Sequence, residues 1–421
     1  MWLRVDCAGQ RTAAATAAVA VAVAMPACFA PTYLQPLCSA DGQCPAGLMC
    51  TPQVAGPRVC QPPGQPGGPT DAGAPDAPGV NDAGCTAGVV DVCGLPAPTA
   101  AFDASTAVTI NTDTDPRCRP LTVAGRPLCL IYATAVTIAA SGALTVTGGR
   151  PLALVSASTM AIGGAVDAGS HGAQIGPAAD DASCAFAANP EMDMGGAGGG
   201  AGGSFTLAGG NGGTGDTDNS LGGDGTGLGG TRGAAVSAPP LRGGCRGQKG
   251  GDEQPGGSVG GAGGHAGGAL YLAARESVSV AGSIRATGAG GAGGQAQAGG
   301  GGGGSGGMVM IESASIKISG QISANGGGGG QGGGRLPPAM EVTGIPGADG
   351  ALGKTPAAGG FGANGNDNQF SAGGAGGADT AAAGSGTSSI LAGGGGGGAA
   401  GVIRLIGTTA LAGSTISPPA S

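Results

Sequence analysis

Six segments of the chain alternate apolar with small polar residues at a period of two. They are AVTI (107–110), AVTIAASGALTVTG (135–148), PLALVSASTMAIGGAVDAG (151–169), ALYLAARESVSVAGSIRATG (269–288), MVMIESASIKISGQISANG (308–326) and VIRLIGTTALAGSTIS (402–417). Successive strand side chains point to opposite faces, so this alternation in Val, Ile, Leu and Thr predicts β-strands. The last four segments also share an internal order. Leu152/Leu154, Leu270/Leu272, Val309/Ile311 and Ile403/Leu405 open a unit, and Met160/Ile162, Val278/Val280 and Ile316/Ile318 form its second apolar pair. Gly164, Gly282 and Gly320 then precede Val166, Ile284 and Ile322, and Ala168, Ala286 and Ala324 close the pattern. The first two units align without a gap, the third needs a one-residue deletion before Ile316, and the last keeps only Ile416 of its second half.

Two short strands with a Gly corner cannot bury an apolar face alone, but they can if units stack as rungs. The fold expected is therefore all-β: a right-handed parallel β-helix, or solenoid, over residues 85–421, with long Gly-rich loop insertions at 194–268, 288–307 and 326–401. An antiparallel sandwich and independent hairpins in a disordered chain are the competing architectures. On this reading Ile162, Val280 and Ile318 point inward, while Arg275, Glu276, Arg285, Glu312 and Lys317 are scattered outward as a solubilising face. The Gly-rich insertions are functional loops, disordered excursions, or packed polyglycine helices that need no side-chain core. As loops, they should tolerate shortening within 327–398, because loop closure depends weakly on length.

Composition sharpens this picture. Of 421 residues, 99 are Gly and 29 Pro; aromatics are scarce, with Trp 1, Tyr 3 and Phe 6, and His 2 with Lys+Arg 17 leave little inventory for a metal cluster, a base-catalysed site or a nucleic-acid surface. A net charge of −8 without basic blocks opposes binding to nucleic acid or anionic lipid.

At the N-terminus, Arg4 and Arg11 precede the uncharged run TAAATAAVAVAVA (12–24), too short to span a bilayer and suited to a signal peptide. Met25-Pro26-Ala27-Cys28 follows, similar to a bacterial lipobox although Met25 and Pro26 depart from its preferred residues. Residues 1–27 are thus expected to be an export signal, with Cys28 lipidated. Ordinary cleavage after Ala24 or Ala30 is the competing outcome. Phe29 in place of Asp favours the outer membrane by analogy with other lipoproteins.

The remaining cysteines fall into even sets, Cys38, Cys44, Cys50 and Cys60, then Cys85, Cys93, Cys118 and Cys129, then Cys184 and Cys245. In an exported chain such sets read as disulfides, with connectivity within each four left open. Residues 28–60 form a Cys-rich module too short for a core of its own, and 61–84 a disordered Pro/Ala/Asp linker.

The chemical motifs are weak. ADGALGKT (348–355) satisfies a loose phosphate-loop pattern but meets Pro356 where a helix should begin. Asn111, Asp113 and Asp115 alternate like a calcium loop, with Pro116 in place of the turn Gly; GGTGDTD (212–218) has carboxylates out of step with a calcium nonapeptide. His171 and His265 read as solvated loop residues without a nucleophile elbow. No catalytic site, metal or cofactor is expected.

The ACF start at Cys28, the stretch CSADGQCPAGLMC (38–50), the Asp/Ala/Pro linker and rungs such as RPLALVSASTMAIGGAVDAGS resemble glycine-rich surface lipoproteins of myxobacteria. The Gly/Ala tracts are similar to those of mycobacterial PGRS proteins, whose helical N-terminal domain has no counterpart here. The resemblance covers nearly the whole chain and brings no established activity with it. The function expected from all these features together is a lipid-anchored structural or adhesive surface protein that meets the membrane through its lipid and contacts envelope or extracellular polysaccharide or other surface proteins. A carbohydrate-binding or polysaccharide-cleaving β-helix is the alternative.

Overall fold

The structure is a computed structural model. It describes residues 49–51, 59–61 and 88–421, apart from 173, 220–224, 237–240, 255–256, 337–339 and 362–370. The chain divides into two units, 1–74 and 75–421. In the first, β1 (Met49–Thr51) and β2 (Val59–Gln61) pair antiparallel with Cys50 opposite Cys60. The export segment with Cys28, and also Cys38, Cys44 and Cys85, lie outside the described residues.

In the second unit the alternating segments become strands. They are β3 (Phe102–Ala104) and β4 (Ala107–Asn111), then β5 (Arg119–Val123), β6 (Arg126–Ala133), β7 (Val136–Ile138) and β8 (Ala143–Thr147). β9 (Leu152–Ser156), β10 (Thr159–Ile162) and β11 (Ala165–Asp167) follow, then β12 (Ala269–Val280), β13 (Ser283–Arg285), β14 (Met308–Ile318) and β15 (Gln321–Ser323). A small hairpin, β16 (Gly334–Leu336) and β17 (Met340–Val342), precedes β18 (Val402–Leu411) and β19 (Thr415–Ser417). The chain is all-β, with no helix among the described residues and its main strands in parallel sheets. The larger sheet, of 9 strands, is curled into a half-barrel; the smaller, of 6, runs β19-β15-β13-β11-β8-β4.

Pairing follows the sequence alignment. Leu152 and Leu154 sit beside Leu270 and Leu272, and Met160 and Ile162 beside Val278 and Val280. β12 and β14 start in register at Leu270 and Val309, then shift by a bulge between Ala274 and Ser277 before Val278 meets Ile316. The one-residue deletion in the sequence is that bulge, an extra residue on one strand that leaves the inward set unbroken.

Two further layers lie beyond the aligned units. β7 and β8 put Val136, Ile138 and Leu144 against Met160, Ile162 and Val166, and β3 and β4 add Phe102, Ala104 and Val108 on the far side. Their apolar order is the same, but Ser105-Thr106 replaces the Gly corner of the outermost layer, which hid it from alignment.

Inward residues of both sheets share one core, including Ile138, Leu154, Ile162, Val280, Ile318 and Ile322, each at most 1% exposed. A second apolar cluster covers the opposite face of the large sheet, where Leu130, Val155, Tyr271 and Met310 pack under Val90, Phe205 and Leu241. Glu312 belongs to this covered face. Expected outward, it is 2% exposed, and its Oε2 accepts hydrogen bonds from the Tyr271 hydroxyl at 2.7 Å and the Val89 amide at 3.1 Å. The reason is the period itself: Glu312 points away from the inner core, but that side is also roofed.

The Gly-rich tracts are packed. In the run 299–307, the amides of Gly299, Gly302 and Ser305 donate to Gly251, Gln248 and Cys245; those of Gly300, Gly303 and Gly306 donate to Gly393, Gly396 and Ala399; those of Gly301, Gly304 and Gly307 donate to Ala292, Ala289 and Ala286. Three successive amides therefore address three different neighbouring segments. This is the three-residue repeat of a polyproline II type helix, here with its amides paired to other segments of the same chain instead of water. Only Gly allows such spacing: a Cβ at Gly303 would fall on the carbonyl of Gly327, and one at Gly306 on that of Ala324. Of the options for the tracts, packed polyglycine is what the described residues adopt, and the expectation of dispensable loops is reversed.

Candidate functional site

The described disulfides are Cys118–Cys129 and Cys184–Cys245; Cys93 is also disulfide-bonded. Cys184–Cys245 ties the segment before the first Gly-rich tract to a point inside that tract. Beside it Arg242, 2% exposed, donates from Nη2 to both sulfurs at 3.1 and 3.2 Å, and its guanidinium lies 5.0 Å from the centre of the Phe205 ring. Asp181 faces Arg242 at 3.9 Å and is bonded to Arg126. Burial pushes the Asp181 carboxyl up, but hydrogen bonds from Arg126 and Ser183, with the charge of Arg242, outweigh it and hold the pKa down to about 2.

The residues singled out in the sequence are not brought together. His171 Nε2 lies 2.9 Å from Asp167 Oδ2, and His265 Nδ1 lies 2.5 Å from Asp180, whose other oxygen accepts the Ala266 amide. Each histidine is therefore tied to one carboxylate rather than simply solvated, and the two occupy separate sites. In the calcium-like loop, Asp115 is clamped by Arg117, and Asp113 accepts the Gly149 amide and faces Arg150. Those carboxylates brace the loop against its neighbours. Lys354 of the phosphate-loop match reaches Asp379 at 3.5 Å, and Gly353 is bonded to Ser323 and Asn325. Among the described residues, no group of three or more His, Cys, Asp or Glu has the placement to hold a metal.

A cleft of about 230 Å³ opens instead on the β5–β6 hairpin, on the face opposite the first disulfide, where no motif pointed. β6 alternates, so Cys129 and Ile131 enter the inner core while Leu130 and Tyr132 face the other way. Arg119 of β5 stands directly opposite Leu130, and residues 96–100 with Pro96 and Pro98 form the far wall. Arg117 closes one side. Its guanidinium is held in two-point contact by Asp115, at 2.9 Å to Nε and 2.6 Å to Nη2, and lies 5.7 Å from the centre of the Phe102 ring. The Arg117 hydrogen bond in turn lowers the pKa of Asp115. Arg119 is exposed and, among the described residues, has neither ion pair nor hydrogen bond from its side chain; the half-buried Tyr132 hydroxyl likewise has no partner.

The available signal in the sequence was the dipeptide rhythm Arg117-Cys118-Arg119 and an aromatic residue three positions after Cys129, in a chain with only 3 Tyr. A second cleft, of about 470 Å³, lies among Asn189, Glu191, Met192, Thr226 and Gln254. No protein-family model, no curated protein and no solved structure matches this chain.

Proposed function

We propose that this chain is an exported, lipid-anchored cell-surface protein with a structural or adhesive role and no catalytic site, carried on a right-handed parallel β-helix. The helix reading is supported by parallel registers that repeat from unit to unit: Ile138, Ile162, Val280, Ile318 and Leu411 follow one another in pairing across the large sheet, and Leu144, Val166, Ile284, Ile322 and Ile416 across the small one. Right-handed crossovers are the rule for parallel strands joined within a sheet.

The observation that carries the functional reading is the pairing of Cys118 with Cys129 and of Cys184 with Cys245. Paired thiols of this kind persist outside the reducing cytosol, in agreement with the apolar run at 12–24 and with Cys28. The charged groups support a structural role: Arg126–Asp181 and Lys354–Asp379 join residues distant in sequence, while Asp115 and Asp252 are taken up by the neighbouring Arg117 and Lys249.

The anchoring part is tested at Cys28. The wild type should fractionate with membranes and take up an acyl label, and Cys28→Ala should become soluble or remain unprocessed. Unchanged fractionation with no label on the wild type would refute lipid anchoring. The alternative, a carbohydrate-binding or polysaccharide-cleaving envelope protein, is favoured by one feature, the cleft at Arg119 and Tyr132.

A further inference from the structure

We infer that the cleft between residues 96–100 and the β5–β6 hairpin binds one acidic sugar unit of a polysaccharide, a pyranose bearing a carboxylate, with Arg119 as the anion-binding group and the Tyr132 ring as the stacking surface. The inference deepens the surface reading above and rests on it for access to such a polymer.

The argument starts from the unused groups. A guanidinium carries five N–H donors in a planar fork that matches a carboxylate. In the same cleft Arg117 already spends that fork on Asp115, whereas Arg119 spends its own on nothing described. An exposed Arg beside a half-buried Tyr with a free hydroxyl offers an anion site, a π face and a hydrogen-bond group within one opening. Tyr combines an apolar ring with a polar tip, so it can cover the C–H face of a sugar while its hydroxyl meets the sugar's own. A carboxylated pyranose presents that face and an anionic edge on a single ring. A neutral sugar would leave Arg119 unmatched, and a simple carboxylate would leave the Tyr132 face uncovered.

The cleft is also preorganised. Arg119 and Leu130 are direct strand partners, so the strand pairing sets their spacing, and the Cys118–Cys129 bridge ties the two adjacent residues on the opposite face. Pro96 and Pro98 have fixed φ, which stiffens the opposite wall. Arg117 is immobilised between Asp115 and the Phe102 ring. The walls of the cleft therefore lose little conformational freedom on binding, and the ordering cost falls on the Arg119 side chain.

The test uses the full exported chain and a trigalacturonate probe, followed by titration calorimetry at low and moderate salt. Saturable binding is expected for the wild type. Arg119→Glu and Arg119→Met should weaken it about tenfold or more, the size of a lost charge-assisted hydrogen bond. Tyr132→Ala should also weaken it, and Arg404→Glu, exposed on β18, should not. Circular dichroism and an intact Cys118–Cys129 bridge confirm folding of each variant. The inference is overturned if the wild type does not bind, if both Arg119 variants bind as well as the wild type, or if maltotriose or acetate competes as strongly as the acidic trisaccharide. Because the readout is binding by the isolated chain, it is independent of the Cys28 fractionation result.

Discussion

Lys317 and Ile318 are neighbours in β14, yet one is exposed and the other fully buried between Val280 and Leu411. Ile318→Asp places a carboxylate in the shared core, without a partner, where even a neutral polar group costs roughly 1–3 kcal/mol and a charge more. Lys317→Asp changes only a solvated position, and such changes fall within about 0.5 kcal/mol. Circular dichroism and limited proteolysis should therefore find the Ile318 variant unfolded and the Lys317 variant near wild type. Equal sensitivity at both positions would contradict the inward–outward alternation of β14. Glu312 and Tyr271 show that the opposite face of the same strands is not simply solvent. Burial, then the Glu312 carboxylate, push the Tyr271 phenol far above its ordinary range, so it remains the donor of that pair.

Among elements, the polyglycine segments carry the least side-chain chemistry and pack backbone directly against backbone. Each amide of the run 299–307 has a backbone acceptor on another segment, so an added methyl displaces a carbonyl and its hydrogen bond together. Gly303→Ala should lower stability by about 1–3 kcal/mol, the range for overpacking a close-packed interior, visible as a lower denaturant midpoint. Gly94→Ala, where the space around the Cα is open, should leave the midpoint unchanged or slightly higher, because it removes unfolded-state freedom. A Gly303 variant as stable as wild type would mean that the segments do not approach as closely as described. The same packing reverses the expectation that part of 327–398 can be removed: Gly327 and Gly330 donate to Gly304 and Gly301, and Gly393 to Ala197, so their loss strips partners from several segments at once.

Across the second unit, long-range ties connect parts that lie far apart in sequence. Cys184–Cys245 closes a loop with a sequence separation of 61, and removing it as a Cys184→Ser, Cys245→Ser pair should cost about 2–4 kcal/mol, read from the denaturant midpoint of the oxidised wild type against the variant. A variant indistinguishable from wild type would show that the polyglycine contacts alone hold this tract. Beside the bridge, Arg126 joins the hairpin of β5 and β6 to Asp181. The Asp181 pKa, about 2 in the fold against the ordinary 3.8, stabilises the folded state above 3.8, and this contribution is lost as pH falls toward 2. Arg126→Met should therefore raise the pH at which acid unfolding occurs, followed by circular dichroism. Identical acid midpoints for variant and wild type would remove Arg126 from the coupling.

The strand pattern, the inward set Ile162, Val280 and Ile318, and the alignment gap that became the bulge beside Ala274 were all legible in the sequence, because a period of two is a local property of extended chain. The pairing of Cys184 with Cys245 was legible too, since an even set of two leaves one internal choice. The burial of Glu312 was not, because it depends on Tyr271, 41 residues away, and on Val89, 223 residues away, roofing the same patch of sheet. Nor was the cleft at Arg119 and Tyr132, which exists only where an antiparallel hairpin and a Pro-containing segment meet. The polyglycine tracts mark the boundary most sharply. Without side chains they carry no hydrophobic period, and order comes from amide–carbonyl bonds between segments distant in sequence, which only the assembled chain can supply.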